Sequence, residues 1–397
     1  MKYTSKLTFA QLLVSLTALH AASSSTKPDR MPSFSWDRVP LYMHIRKDTA
    51  FTADEILYLA SFPLITFEKT TGFRDSGSTE AGTLAAASAV KAINPATKVL
   101  YYRNVIVHYP RYAANSSLKK IPGALLTGRN GSDKLVRNRV QAYDLSNEQT
   151  RAWWLANAKE VCSDPAIDGL LLDGTVKVLE PAYLKNEIGK EKKAEVVDGY
   201  TTMMKDTRQM IGPEKLMVAN ILRARFPDSG LSYMRSFDGS YIEGFESPER
   251  GIARKDHIAK GIAAFQKAAR EGYLIAFTAG LGGEEMDDDD ADEETKNPQR
   301  TDEIRKPIDS EEAAKHKFNY LLATFLVCAE KHSYFYARDG YDAEKSNVWM
   351  KHPPEFARPL GAPKGPAVRK GYVYTRKFAH ASVHLDLEAE TGKIQWR

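Results

Sequence analysis

The chain has 397 residues, 43% of them hydrophobic, which is enough for one large buried core or two modest ones. A formal net charge of +5 is small for this length, and Lys and Arg are spread along the chain, which excludes a charge-driven nucleic-acid binder. After the first residues no apolar run reaches the length of a spanning helix, so no stable membrane insertion is expected once the leader is removed.

Met1 to Lys6 carry two lysines, Leu7 to Ala22 are largely apolar, and small residues follow, the pattern of a secretory signal peptide over residues 1–22. An exported chain is therefore expected, secreted or periplasmic. A polar, Pro-containing linker covers 23–38, and Val39 to Ile45 reads as the first strand. Thr52 opens a helix to Ala60, Leu64 to Phe67 is a strand ending in Glu68, and Glu80 to Ile93 is an Ala-rich helix. Val99 to Tyr102 is a strand ending in Arg103 and Asn104. A long loop, His108 to Ser146, follows, rich in Pro, Gly, Asn and basic residues. Ser146 or Asn147 caps a helix, Glu148 to Cys162.

Ile167 to Leu172 is an apolar run that ends abruptly in Asp173. A helix from Ala194 to Ile211 leads to the strand Leu216 to Ala219, which ends in Asn220, and to Gly239 to Ile242, which ends in Glu243. Lys255 to Ala269 is an amphipathic helix. Tyr273 to Phe277 is a strand ending at Thr278, Ser310 to Lys331 a helix, and Ser333 to Tyr336 a last strand running to Arg338 and Asp339. Eight strands alternating with helices predict a (β/α)8 TIM barrel over 39–345. A doubly wound sheet lacks its usual support, since no G-x-G-x-x-G follows the first strand and no phosphate-loop lysine motif occurs. The stretch 346–397 alternates late and reads as a small β extension, a strand pair packed on the barrel. The acidic run from Glu284 to Glu294 lacks EF-hand spacing and reads as a solvated loop. Cys162 and Cys328 fall on predicted helices as small buried apolar residues.

In a barrel of this kind the strand ends share one mouth: Glu68, Tyr102, Arg103, Asn104, Asp173, Asn220, Glu243, Thr278 and Asp339. The set is rich in carboxylates and holds no metal-ligand motif, no paired-cysteine motif and no serine elbow, so neither metal nor cofactor is expected. Two carboxylates facing each other can cleave a glycosidic bond as acid and base, or as acid and nucleophile. Asp173 and Glu243, two strands apart, are the chosen pair, with Glu246 a competitor and Glu68 or Asp339 alternative partners. Tyr42, Tyr102, Tyr109, Tyr112, Tyr241 and Phe245 can offer flat faces to sugar rings, or simply fill the core.

The segments PLYMHIRKD, LITFEKTTG, IDGLLLDG and GSYIEGFES, and the ending PLGAPKGP with YTRKFAHASVHLDLEAETGKIQW, resemble the glycosyl hydrolase-like family 15, which is distinct from the glucoamylase family of that number. The resemblance runs from about Val39 to Trp396. It implies a TIM-barrel hydrolase of the broad α-galactosidase-like superfamily. The acid after the fourth strand, here Asp173, would be the nucleophile, and the acid after the sixth, Glu243, the proton donor.

The expected protein is an exported glycoside hydrolase acting on a polysaccharide or oligosaccharide, with Glu68, Tyr102, Arg103, Asn104, Asn220, Thr278 and Asp339 around the substrate. Two other roles fit the same residues: a glycan-binding barrel without catalysis, and a lyase acting on uronic acid polymers with Arg103 or Arg338 at the substrate carboxylate.

Overall fold

Eight parallel strands pair in sequence order: β1 (Met43–Ile45), β2 (Leu64–Phe67), β3 (Lys98–Asn104), β4 (Gly169–Asp173), β5 (Leu216–Ala219), β6 (Gly239–Ile242), β7 (Leu274–Ala279) and β8 (Ser333–Ala337). This computed structural model describes residues 30–243, 245, 248, 251–281, 311–337, 340–344 and 348–397. The expected signal peptide, the acidic run, Glu246, Arg338 and Asp339 lie outside the described residues. Unbroken sequential order is what a barrel requires and a doubly wound sheet forbids. Closure comes from hydrogen bonds between the last and first strand regions: Tyr42 N to Phe335 O at 3.2 Å, Phe335 N to Pro40 O at 2.9 Å, and Arg46 N to Tyr341 O at 2.8 Å.

The strands are buried on both faces, which is why they read as apolar runs. One side chain in two points inward. Tyr42, Leu64, Leu100, Tyr102, Leu171, Leu216, Val218, Tyr241, Leu274, Ala276 and Tyr334 form a separate cluster inside the barrel. Continuing that alternation by two residues brings Asn104, Asp173, Asn220, Glu243 and Thr278 to the mouth.

The outward residues meet a helix layer: α1 (Ala53–Leu59), α2 (Phe73–Ser76), α3 (Thr79–Ile93), α4 (Asn115–Leu118), α5 (Glu148–Cys162), α6 (Thr175–Leu179), α7 (Lys185–Ile188), α8 (Lys190–Ile211), α9 (Arg254–Arg270) and α10 (Glu311–Cys328). Thr52 and Glu55 close a capping box on α1, and the Asn147 side chain accepts from Gln149 N and Thr150 N to cap α5.

Residues 30–38, expected as a linker, instead lie across the floor of the barrel. Met31 and Phe34 pack against the interior cluster, and Tyr334 Oη donates to Pro32 O at 2.8 Å. Buried Asp238 holds Arg30 and Arg208, each at 2.5 Å. The C-terminal extension is larger than the expected strand pair. It is a four-stranded antiparallel sheet of β9 (Val368–Lys370), β10 (Val373–Lys377), β11 (Ala381–Asp386) and β12 (Thr391–Trp396). β9 is exposed at all three residues and so carries no apolar alternation to read. Arg376, 3% exposed, reaches from β10 to Leu326 O, Ala329 O and Glu330, satisfying carbonyls at the end of α10.

Two mid-helix glycines differ in what surrounds them. A Cβ on Gly199 of α8 would sit 1.9 Å from Leu145 O, whereas one on Gly261 of α9 would meet nothing nearer than Phe265 at 3.6 Å. Gly199→Ala is expected to cost about 1–3 kcal/mol, seen as a lower urea midpoint at unchanged slope, and Gly261→Ala to be neutral or to stabilise by up to ~1 kcal/mol. Lys193 of α8 is buried with its ammonium on Val178 O at 2.7 Å, and burial pushes its pKa down to about 8. Between pH 8 and its ordinary value near 10.5 the unfolded chain binds this proton more tightly than the folded one, so the cost is full below pH 8 and is relieved as pH rises. The stability difference between Lys193→Met and wild type should shift in favour of the wild type from pH 8 to 10.5, as measured by denaturant melts across that window.

Candidate active site

Asp173 ends β4 with its carboxylate at the barrel mouth, and three donors meet it. Tyr102 Oη donates to Oδ2 at 2.7 Å, Asn104 Nδ2 to Oδ2 at 3.0 Å and Asn220 Nδ2 to Oδ1 at 3.1 Å. Burial, and then the neighbouring Asp173 charge, push the Tyr102 phenol well above its usual range, so it stays a donor. Asn104 is aimed by its own loop, since its Oδ1 accepts from Ile106 N at 3.0 Å and Val107 N at 2.7 Å. Gly174, at φ +77°, completes the turn; a Cβ there would lie 2.5 Å from Asn104 Oδ1.

Glu243 follows β6, and its side chain is 47% exposed. Its Oε2 lies 3.3 Å from the same Asn220 Nδ2 and 3.7 Å from a terminal nitrogen of Arg223. Arg223 is part-buried; desolvation lowers its pKa, and the Glu243 charge opposes that shift. The loop that carries Arg223 is turned by Ser240, whose Oγ accepts from Leu222 N at 3.1 Å.

Glu68 also faces the mouth, as one half of an ion pair that is 3% exposed on both sides. Lys69 Nζ stands 2.9 Å from Oε1 and 3.2 Å from Oε2. The Lys69 ammonium lies 4.9, 5.3 and 5.8 Å from the ring centres of Tyr109, Tyr341 and Tyr102. His44 fills the floor, 4.8 Å from the Tyr241 ring and 6.4 Å from that of Tyr102. Thr278 is buried and supports this floor, its Oγ1 donating to Tyr241 Oη at 3.0 Å.

Arg103 is not part of the mouth. It stands one residue out of register with Tyr102 and Asn104, so it points into the helix layer, 1% exposed, against the rings of Tyr112, Trp153 and Trp154. Tyr112 goes with it, and Phe245 packs on Phe277 with ring centres 4.7 Å apart, so neither offers a face to a sugar. Alternation along β3, read strictly, separates Arg103 from its neighbours. Arg223 and Lys69, by contrast, follow their strand ends in loops, where no periodicity marks them. Among the described residues no three His, Cys, Asp or Glu side chains converge as a metal site.

A (β/α)8 barrel with carboxylates at the ends of its fourth and sixth strands, gathered in one mouth, has the form of a glycoside hydrolase. The chain belongs to hypothetical glycosyl hydrolase family 15, whose sequence profile matches residues 91–382. No curated protein matches it in sequence. Among solved structures it is similar to the GH36 α-galactosidase of Geobacillus stearothermophilus, with 10% identity and a TM-score of 0.49 over 89% of this chain and 48% of that one. It is also similar to α-L-fucosidase isoenzyme 2 of Paenibacillus thiaminolyticus, with 14% identity and a TM-score of 0.47 over 80% and 48%. A maltogenic α-amylase of Thermotoga neapolitana shares 11% identity at a TM-score of 0.45, over 88% and 86%. The chain spans about half the length of the first α-galactosidase structures it matches.

The Tyr102 hydroxyl on Asp173 is a neutral donor to a charged acceptor, a contact that typically stabilises by about 1.5–3 kcal/mol. A double-mutant cycle of Tyr102→Phe and Asp173→Ala, followed by urea unfolding at neutral pH, should return a coupling of that size. A coupling near zero would mean that the two groups do not meet in solution.

Proposed function

We propose that the chain is a retaining glycoside hydrolase in which Asp173 is the nucleophile and Glu243 the acid and base, acting on an oligosaccharide or polysaccharide. The observation that carries this is the shared amide. Two oxygens 3.1 and 3.3 Å from one nitrogen are at most about 6.4 Å apart, and about 5.5 Å apart if the two N–H bonds diverge by the usual ~120°. Retaining pairs stand roughly 5–5.5 Å apart and inverting pairs roughly 6.5–9.5 Å, because inversion must leave room for a water.

In the first step an Asp173 oxygen bonds to the anomeric carbon, the bond to the leaving oxygen breaks, and the Glu243 proton moves to that oxygen. In the second step Glu243 takes a proton from water, the water oxygen bonds to the anomeric carbon, and the ester to Asp173 breaks. The charges around Glu243 suit this exchange. While Asp173 is ionised, its negative charge favours a protonated Glu243. Once Asp173 is esterified that charge is gone, and Arg223 favours the ionised Glu243 that the second step needs. Residues around the mouth, Tyr109 and Tyr341 among them, would meet the sugar. Arg103, the cation expected to meet a uronate carboxylate in a lyase, packs instead against Tyr112, Trp153 and Trp154 away from the mouth, and Lys69 is paired with Glu68, which supports hydrolysis over a lyase.

The test is turnover of a panel of aryl glycosides and oligosaccharides, with the anomer of the first product read by proton NMR. Retained configuration is expected, with Asp173→Ala and Glu243→Gln each lowering kcat by at least about 10²-fold. Azide should restore turnover of Asp173→Ala with the opposite anomeric configuration. An inverted first product from the wild type would refute double displacement, and an unsaturated, ultraviolet-absorbing product would reassign the chain as a lyase.

A further inference from the structure

The sequence places Asn220 among the residues that hold sugar hydroxyls, but its surroundings leave it no atom for that. Its Nδ2 carries two hydrogens, and two carboxylate oxygens lie in reach, Asp173 Oδ1 at 3.1 Å and Glu243 Oε2 at 3.3 Å. Its Oδ1 is fully buried and meets no donor among the described residues. The residue as a whole is 7% exposed. Its backbone is fixed as well, with Asn220 N on Leu172 O at 2.9 Å. The side chain is therefore oriented by the two carboxyl groups and has nothing left over for a ligand.

We propose, on the basis of the glycosidase reading above, that Asn220 is a positioning residue that sets the spacing of the two carboxyl groups and selects which oxygen of Glu243 carries the acid proton. A carboxylic acid has one O–H oxygen and one acceptor oxygen. Oε2 accepts from Asn220 and stands beside the Arg223 cation, both of which oppose a proton there. The proton therefore belongs on Oε1, the oxygen that protonates the leaving group. Among the described residues, Tyr102 from β3 donates to Asp173, and Arg225 and, from β6, Tyr241 lie within electrostatic reach of Arg223. The Glu68 and Lys69 ion pair stands across the Tyr102 ring.

Without the amide each ionised carboxylate loses a donor, and the Glu243 proton is no longer confined to one oxygen. In Asn220→Ala, kcat should fall about 10- to 100-fold while KM changes less than about threefold, and both limbs of the pH profile of kcat/KM should move to higher pH. Asn220→Asp keeps the size of the side chain and adds a third carboxylate, so its alkaline limb should move further. A residue that only bound sugar would show a raised KM with kcat and both limbs unmoved, and that result would overturn the proposal. Carbon-13 NMR titration of the carboxyl groups in the full chain gives a readout without turnover: titrations of Asp173 and Glu243 that are identical in wild type and Asn220→Asp would also overturn it. Failure of the glycosidase reading is distinguishable, because it shows as undiminished activity in Asp173→Ala or Glu243→Gln, whatever Asn220 does.

Discussion

The site depends on the hydrogen bonds of a single, part-buried carboxylate. Asp173 closes a strand whose preceding residues are all buried, and an ion in that position must be repaid by hydrogen bonds. The repayment dictates its neighbourhood. Tyr102 and Asn104 approach from the strand on one side and Asn220 from the strand on the other, so β3, β4 and β5 must keep their register to within one residue. Gly174 is part of the same requirement, since any side chain there would displace the Asn104 amide. Glu243 needs less. It is half-exposed, and it is joined to the group through the amide it shares with Asp173 and through Arg223.

Charge in the mouth is balanced locally. Among the described residues, Lys69 is paired with Glu68 beside the rings of Tyr102, Tyr109 and Tyr341, and Arg223 stands beside Glu243.

Much of this was legible in the sequence, because a parallel barrel writes its strands as short apolar runs and its mouth as the residues that follow them. The ranges Leu64–Phe67, Leu216–Ala219 and Gly239–Ile242 coincide with the expected strands, and Asp173, Asn220 and Glu243 stand at the ends where they were expected. Three things were not legible, each for a physical reason. For Arg103, alternation along β3 gives the side it takes, but the three aromatic faces that accept its cation there come from distant Tyr112, Trp153 and Trp154 and are not marked locally. Arg223 and Lys69 acquire their roles from side chains far apart in the chain or from loop geometry, which no local pattern encodes. The stretch 30–38 is polar and Pro-containing like a linker, and only the open end of the barrel gives Met31 and Phe34 something to cover.

That floor segment also sets the order in which the molecule can be completed. Tyr334 bonds to Pro32 across 302 positions of sequence, and β1 finds its second neighbour only in the stretch around Phe335. During synthesis, therefore, the first strand waits with one open edge until nearly the whole barrel has been made, a long-range closure that is slow and exposed to mispairing. The short β1, three residues long, limits how much edge is presented during that wait.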